Sequence, residues 1–191
     1  MSSKIFVISG PSGSGKSTLL AKLTKEPGLR KNIAKSVSFT TRPKRTGERE
    51  ARDYFFIALA DFKRALRQKK ILEWTNYLGY YYGTPKDFVQ KALQENKYVL
   101  LCLDFKGALR IKRLYPVNAV TIFVSPPSVK ELRARITQRC NRTGKDEIRR
   151  RLSLAHEELL AAKKYDYCVL NKDLDTAVRK LRGIILKEIK H

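Results

Sequence analysis

The stretch Gly10-Pro11-Ser12-Gly13-Ser14-Gly15-Lys16-Ser17 limits what this chain can become more than any other feature. It matches G-x-x-x-x-G-K-[ST], follows the apolar run Ile5-Phe6-Val7-Ile8, and precedes a helical pattern over Ser17–Lys25. Strand, glycine-rich turn and helix in that order make a phosphate cradle. The glycines let the backbone curl until successive N–H groups face one anion, and the helix N-terminus adds partial positive charge. Lys16 is the point charge that follows a transferring phosphoryl group, and the Ser17 hydroxyl is suited to Mg²⁺. Asp104, closing another apolar run, is the matching carboxylate for the metal's outer shell, through water. By itself the loop says only that a nucleoside triphosphate binds, which kinases, GTPases and motor ATPases share.

Short apolar runs alternate with helical patterns along the rest of the chain, the signature of an α/β fold with a parallel sheet flanked by helices. Tyr98–Leu103, Val120–Val124 and Tyr167–Leu170 join Ile5–Ile8 as buried strands, and their continuous apolarity requires both faces of the sheet to be covered. Thr84-Pro85 reads as a helix N-cap followed by proline at the first helical position. Ser128 with Glu131 fits a capping box. From Ile148, the positions Leu152, Ala155, Leu159 and Ala162 keep one helical face, and Leu174 to Ile189 keep another. Residues 36–85 break this rhythm. They are rich in Thr, Arg, Tyr and Gly, with β-like runs at Tyr54–Ile57 and Ile71–Trp74 around one short helix near Asp61–Lys69. We read a core of residues 1–35, 86–127 and 157–191, an inserted substrate-binding subdomain at 36–85, and an arginine-dense insertion at 128–156.

Charge narrows the partners. Lys and Arg number 41 against 18 Asp and Glu, a net +23, which concentrates polyanions near the surface. The basic residues are spread along the chain rather than massed in a tail, so an anion-binding cleft on a solvated basic surface is expected, and nucleic-acid binding is not. No apolar run approaches the ~20 residues that span a bilayer, and Met1–Lys4 leads straight into the first strand with no secretory signal. Cys102, Cys140 and Cys168 are odd in number and lack metal-ligand spacing, as reduced thiols in the cytoplasm would. Monomer and homo-oligomer both remain open.

The acceptor is read from the insertion. Ser36-Val37-Ser38-Phe39-Thr40-Thr41-Arg42-Pro43-Lys44-Arg45 is followed by Thr46-Gly47-Glu48, Asp53-Tyr54, Leu72-Glu73-Trp74 and Gly79-Tyr80-Tyr81-Tyr82-Gly83-Thr84-Pro85. In this order, behind the phosphate loop, these motifs resemble the guanylate kinase family over essentially the whole chain. The resemblance implies transfer of the ATP γ-phosphoryl group to GMP, with dGMP as a further acceptor and Mg²⁺ as cofactor. It makes Arg42, Arg45, Tyr54 and Tyr82, helped by Ser38, the clamp on the GMP phosphate, in keeping with the bidentate fit of guanidinium to phosphate. It makes Glu73 the guanine reader, and the chemistry agrees: guanine offers N1–H and N2–H side by side, which one carboxylate accepts together, whereas adenine would present a lone pair. Thr84 resembles the hydroxyl that reaches O6. Arg135, Arg139 and Arg151 resemble lid arginines that close over the triphosphate and, with Lys16 and Arg42, stabilise charge in transfer. Asn171 resembles the contact to the adenine of ATP, and Thr18 completes the ATP site behind Gly10–Ser17.

Four positions depart from the family pattern. Cys102 replaces an acidic residue and Lys106 a glutamine in Cys102-Leu103-Asp104-Phe105-Lys106-Gly107, while Ala51 and Cys140 stand where glycine is usual. His156 lies in a helical run and His191 ends the sequence, so neither suggests catalysis. Two other readings stay open: a catalytically weak binding module of the same fold, and a kinase of another small phosphorylated acceptor.

Overall fold

The protein is described by a computed structural model covering residues 3–139 and 145–190. Strand β1 (Ile5–Ser9) leads through the phosphate loop into helix α1 (Lys16–Leu23). After β2 (Ile33–Lys35) come β3 (Phe39–Thr40), β4 (Phe55–Phe56), α2 (Leu59–Arg67), β5 (Ile71–Tyr77) and β6 (Tyr80–Pro85). The chain continues through α3 (Lys86–Gln94), β7 (Tyr98–Cys102), α4 (Phe105–Leu114) and β8 (Ala119–Ser125). Helices α5 (Val129–Arg139) and α6 (Lys145–Leu160), strand β9 (Tyr167–Leu170) and helix α7 (Leu174–Lys190) complete it.

Five strands pair in the order β2-β7-β1-β8-β9, all parallel. Alternation along β1 explains its unbroken apolar run. Phe6 and Ile8 enter one core with Leu19, Leu20, Leu23 and Leu181, under α1 and α7, while Ile5 and Val7 enter the other with Val89, Ala108 and Ile111, under α3 and α4. Each fully buried Val, Leu, Ile or Phe among them contributes about 1.5–3 kcal/mol. The sheet edge at β2 was not expected from the sequence: Ile33-Ala34-Lys35 is three half-buried residues and carries too short a pattern to read.

The second sheet, β4-β3-β6-β5, is mostly antiparallel and lies wholly between β2 and α3. Its β5–β6 hairpin turns over Leu78 and Gly79, both at positive φ, as a two-residue turn that matches strand twist requires. Thr84 misled as a helix signal. It belongs to β6, and Pro85 itself occupies the cap position of α3, because the Thr84 hydroxyl is committed to Glu73 rather than to the helix start. Ser128 does cap α5, accepting from the Glu131 amide at 3.1 Å, while the Glu131 carboxylate pairs with Arg135. Helix α5 packs on α6 through Leu132, Ile136 and Ala155, with Leu152 and Leu159 alongside. Ala162 falls in a 3-10 segment beyond the end of α6. Cys140 and His191 lie outside the described residues.

Ala51 explains itself in the backbone. Its φ is 57°, in the left-handed region that disfavours any Cβ, and its amide bonds the Tyr54 carbonyl at 3.0 Å. The side chain is exposed, so nothing offsets the strain. Ala51→Gly is expected to stabilise the fold by about 1 kcal/mol, seen as a rise of about 2–4 °C in the midpoint of thermal unfolding.

Candidate active site

Parallel strands put their carboxyl ends along one edge, and the loops leaving that edge surround a cavity of ≈ 710 Å³. The phosphate loop leaves β1, Asp104 follows β7, and Asn171 follows β9. Gly10 has φ 138°, and a Cβ there would lie 2.4 Å from the Val124 carbonyl oxygen, so only glycine passes beneath β8. Gly15 has φ 91°, and a Cβ there would meet Asn171 Nδ2 at 2.2 Å. Asn171 is buried and its amide donates to the Ser14 carbonyl at 2.7 Å, tying the loop to the end of β9. The Lys16 ammonium donates to the carbonyls of Gly10 and Pro11, at 2.5 and 2.9 Å. It is thus folded over the loop that an incoming phosphate would occupy. Gly10, Ser12, Gly13, Gly15, Lys16, Ser17 and Thr18 line the cavity; Pro11 and Ser14 sit behind it as framework.

The second sheet supplies another wall. Arg42 is only 5% exposed, wedged beside the rings of Tyr54 and Phe56 at 5.5 and 5.8 Å. Its Nη2 donates to both carboxylate oxygens of Glu48, at 2.7 and 2.9 Å, while Nη1 donates to the Pro43 carbonyl. Burial works against the Arg42 charge, but the Glu48 carboxylate outweighs it and holds the guanidinium above its ordinary range. Glu48 also accepts from the Arg45 amide at 2.9 Å, so one carboxylate aligns both arginines. That role was invisible in the sequence, where Glu48 read only as part of a motif. Ser38, Arg45, Tyr54 and Tyr82 line the same wall, with the Tyr54 and Tyr82 rings packed edge to face. Burial lifts the Tyr54 phenol well above its usual range, so it stays a neutral donor.

Glu73 and Thr75 point from β5 into the cavity, with Tyr77 one further alternation along. Glu73 is 3% exposed, and Thr84 donates to its Oε1 at 2.5 Å. The carboxylate lies against the start of α4: a Cβ on Gly107 would meet Glu73 Oε2 at 2.7 Å. Burial pushes Glu73 up to about 7, Thr84 pulls it down, and Asp104 raises it further. Thr84 itself does not line the cavity; it stands behind Glu73 and orients it. Asp104 caps α4, with Oδ1 accepting from the Gly107 amide at 2.8 Å, and lines the same cavity as the phosphate loop. Cys102 lines the wall beside it, and burial pushes its thiol up, so it is a neutral group where the family pattern has a charge. Lys106 is exposed on α4, outside the wall.

Helices α5 and α6 bring Arg135 and Arg151 to the remaining side. Arg135 donates to the Gly13 carbonyl at 3.3 Å and pairs with Glu131. Arg151 is buried and donates to Glu147 through Nε and Nη2, at 3.0 and 2.5 Å. Arg139 is the last residue of α5, and its side chain lies outside the described residues. Glu158, buried on the same helix as Arg151 and lining the cavity, went unnoticed in the sequence because it reads there as one of two adjacent acids on a charged helix. His156 is exposed on α6 and takes no part. Among the described residues no cluster of three His, Cys, Asp or Glu could hold a metal directly, and no helix is long and apolar enough to cross a membrane.

One cavity therefore joins the glycine-rich phosphate-loop motif, a wall of arginines and tyrosines, and a buried carboxylate with two acceptor oxygens. Comparison with known proteins shows the family. The guanylate kinase family model matches residues 2–188. The guanylate kinase of Caldanaerobacter subterraneus subsp. tengcongensis is 44% identical over 184 residues, covering 96% of this chain and 87% of that protein. The guanylate kinase of Bacillus anthracis is 41% identical over 96% of this chain and 88% of its own length. The crystal structure of guanylate kinase from Anaplasma phagocytophilum superposes with a TM-score of 0.80 at 31% identity, covering 97% of this chain and 86% of that one.

Proposed function

Because the chain belongs to the guanylate kinase family, we infer that it transfers the γ-phosphoryl group of ATP to GMP, giving ADP and GDP. The observation that carries the acceptor is the buried Glu73 carboxylate, oriented by Thr84 and backed by Gly107. Guanine N1–H and N2–H donate to its two oxygens, and Thr84 keeps it in the plane that contact needs. The GMP phosphate takes the clamp of Arg42, Arg45, Tyr54 and Tyr82, with Ser38 as a further donor. The residues 36–85 then form the acceptor subdomain, 128–156 the lid, and the remainder the core.

ATP lies on Gly10–Ser17 and Thr18 with its adenine toward Asn171, whose amide also holds the loop. Lys16 leaves the Gly10 and Pro11 carbonyls for the β- and γ-phosphates. Arg135, Arg139 and Arg151 close over the bridge between donor and acceptor. Phosphoryl transfer asks for in-line positioning and charge neutralisation rather than covalent chemistry by side chains. The donor set suits Mg²⁺: a hydroxyl at Ser17 and a carboxylate at Asp104, with too few direct protein ligands to strip its water. Bound there, the ion would neutralise charge on the β- and γ-oxygens. Exclusion of water falls to closure of the lid and the acceptor subdomain over the cavity. The free thiols Cys102 and Cys168 and the nucleotide substrates accord with a cytoplasmic enzyme.

The test is ADP formation from ATP with GMP, dGMP, AMP, UMP and dTMP in parallel. GMP is expected to exceed AMP in kcat/KM by at least about 10³, because adenine leaves the buried carboxylate facing a lone pair. Comparable rates on AMP and GMP would defeat the base assignment. A chain that binds GMP without turnover would instead be a binding module.

A further inference from the structure

Burial without a partner is costly for a polar atom, about 1–3 kcal/mol. Among the described residues, two such atoms belong to side chains that line this cavity: the Tyr77 hydroxyl and Glu158 Oε2. They come from different parts of the fold. Tyr77 ends β5, four residues after Glu73 and on the same face, with its ring edge-on to Tyr82 at 6.4 Å. Glu158 lies on α6 seven residues after Arg151, two helical turns on and thus on the same helix face. Both Arg151 and Glu158 are buried and reach the cavity wall.

The two groups sense each other without bonding. Of the charges acting on the Tyr77 phenol, the Glu158 carboxylate is the strongest, and it raises a group that burial has already raised. Burial also pushes Glu158 up to about 7, with Lys16 pulling it down and Asp104 adding to the rise. Among the described residues, Tyr77 is therefore a hydroxyl that keeps its proton and lacks an acceptor, and Glu158 Oε2 is an acceptor that lacks a donor.

We propose that Tyr77 and Glu158 are a positioning pair for phosphoryl transfer: on closure around both substrates, the Tyr77 hydroxyl donates to Glu158 Oε2. That one bond satisfies two stranded atoms. It also sets β5, which carries Glu73, in register with α6, which carries Arg151. The acceptor subdomain and the arginine-bearing helix then arrive together, with the acceptor phosphate aligned to the donor. Neither residue needs to touch the reacting atoms. The inference rests on the GMP-kinase reading for its consequence in turnover, not for the contact itself.

A double-mutant cycle at pH 8 tests it, using Tyr77→Phe, Glu158→Leu and their combination, with Glu158→Gln retaining an acceptor. Each variant is read by kcat and KM and by the rise in unfolding midpoint on adding a non-hydrolysable ATP analogue. The rise is measured together with the best acceptor from the five-nucleotide assay. Tyr77→Phe and Glu158→Leu are each expected to lower kcat about tenfold, the worth of one hydrogen bond to a charged group, with KM changed less than about twofold. The double variant should lose no more than either single, in rate and in ligand-induced midpoint shift alike. Glu158→Gln should recover most of the rate. Multiplying effects in the double variant, or a wild-type kcat for Tyr77→Phe, would overturn the pair. A wild-type chain that favours another acceptor overturns the GMP reading alone, since the cycle is still measured with that acceptor. Turnover of GMP with independent variants overturns the pair alone.

Discussion

Lys16→Ala is expected to abolish practical turnover, lowering kcat by about three orders of magnitude, or ~4 kcal/mol of transition-state stabilisation. The ammonium is the only side-chain cation that the phosphate loop itself provides, and it acts inside a cavity where charge is poorly screened. Before nucleotide binds, it rests on the carbonyls of Gly10 and Pro11. Those bonds are neutral-acceptor contacts and yield readily to a charged phosphate. Nothing in the apolar cores depends on it, so the unfolding midpoint should stay near wild type while the rate collapses. ATP affinity, measured by calorimetry, should fall far less than kcat, because the backbone amides of the loop remain. Full turnover by this variant would defeat the mechanism.

Glu73→Gln has the second largest expected effect, and it moves activity and stability in opposite directions. Glutamine presents an amide N–H₂ where guanine needs an acceptor, so kcat/KM for GMP should fall by about 10³ and the preference over AMP should largely vanish. The stability sign follows from the raised carboxyl, which sits at about 7 in the fold against an ordinary 4.5. The folded state thus holds this proton more tightly than the unfolded chain. The cost of ionising it is absent below pH 4.5, grows through the interval, and is full above pH 7. Removing the charge should therefore stabilise the ligand-free protein by about 3 kcal/mol at pH 8 and by less than about 1 kcal/mol at pH 5. Thermal unfolding at the two values checks this. In wild type, KM for GMP should rise as pH falls from 8 to 6, since a protonated carboxyl offers guanine a donor in place of its second acceptor. A KM that stays level over that range would place the guanine contact elsewhere.

The sequence disclosed those parts of the molecule that follow from short-range rules. The glycine loop, the four strands with unbroken apolar runs and the Ser128 cap are local, and each appears where its pattern lies. What failed was decided by tertiary contact. Thr84 has the residue type and the following proline of a helix cap, yet a carboxylate eleven residues back takes its hydroxyl. The β2 edge has three half-buried residues and no pattern of its own, and it exists because β7 offers it a ladder. Within the site, the motif residues could be named, but their holders could not. Glu48 beneath Arg42, Asn171 against Ser14, and Glu158 on the same cavity wall as the phosphate loop act through neighbours that only folding creates. Ala51 was legible as a departure, whereas its cost needed a dihedral angle.

Three arginines of the cavity wait on glutamates close by in the chain: Arg42 on Glu48, Arg135 on Glu131, and Arg151 on Glu147. Their consequence falls at the end of the catalytic cycle rather than at its start. In the reaction proposed above, each guanidinium would return to a counter-ion already within reach when nucleoside diphosphates leave, so departure would expose no bare charge. Exit would then be an exchange of partners, and glutamates that compete with the substrates at entry would shorten the residence of the products. A clamp built this way gives up some affinity and gains speed of release.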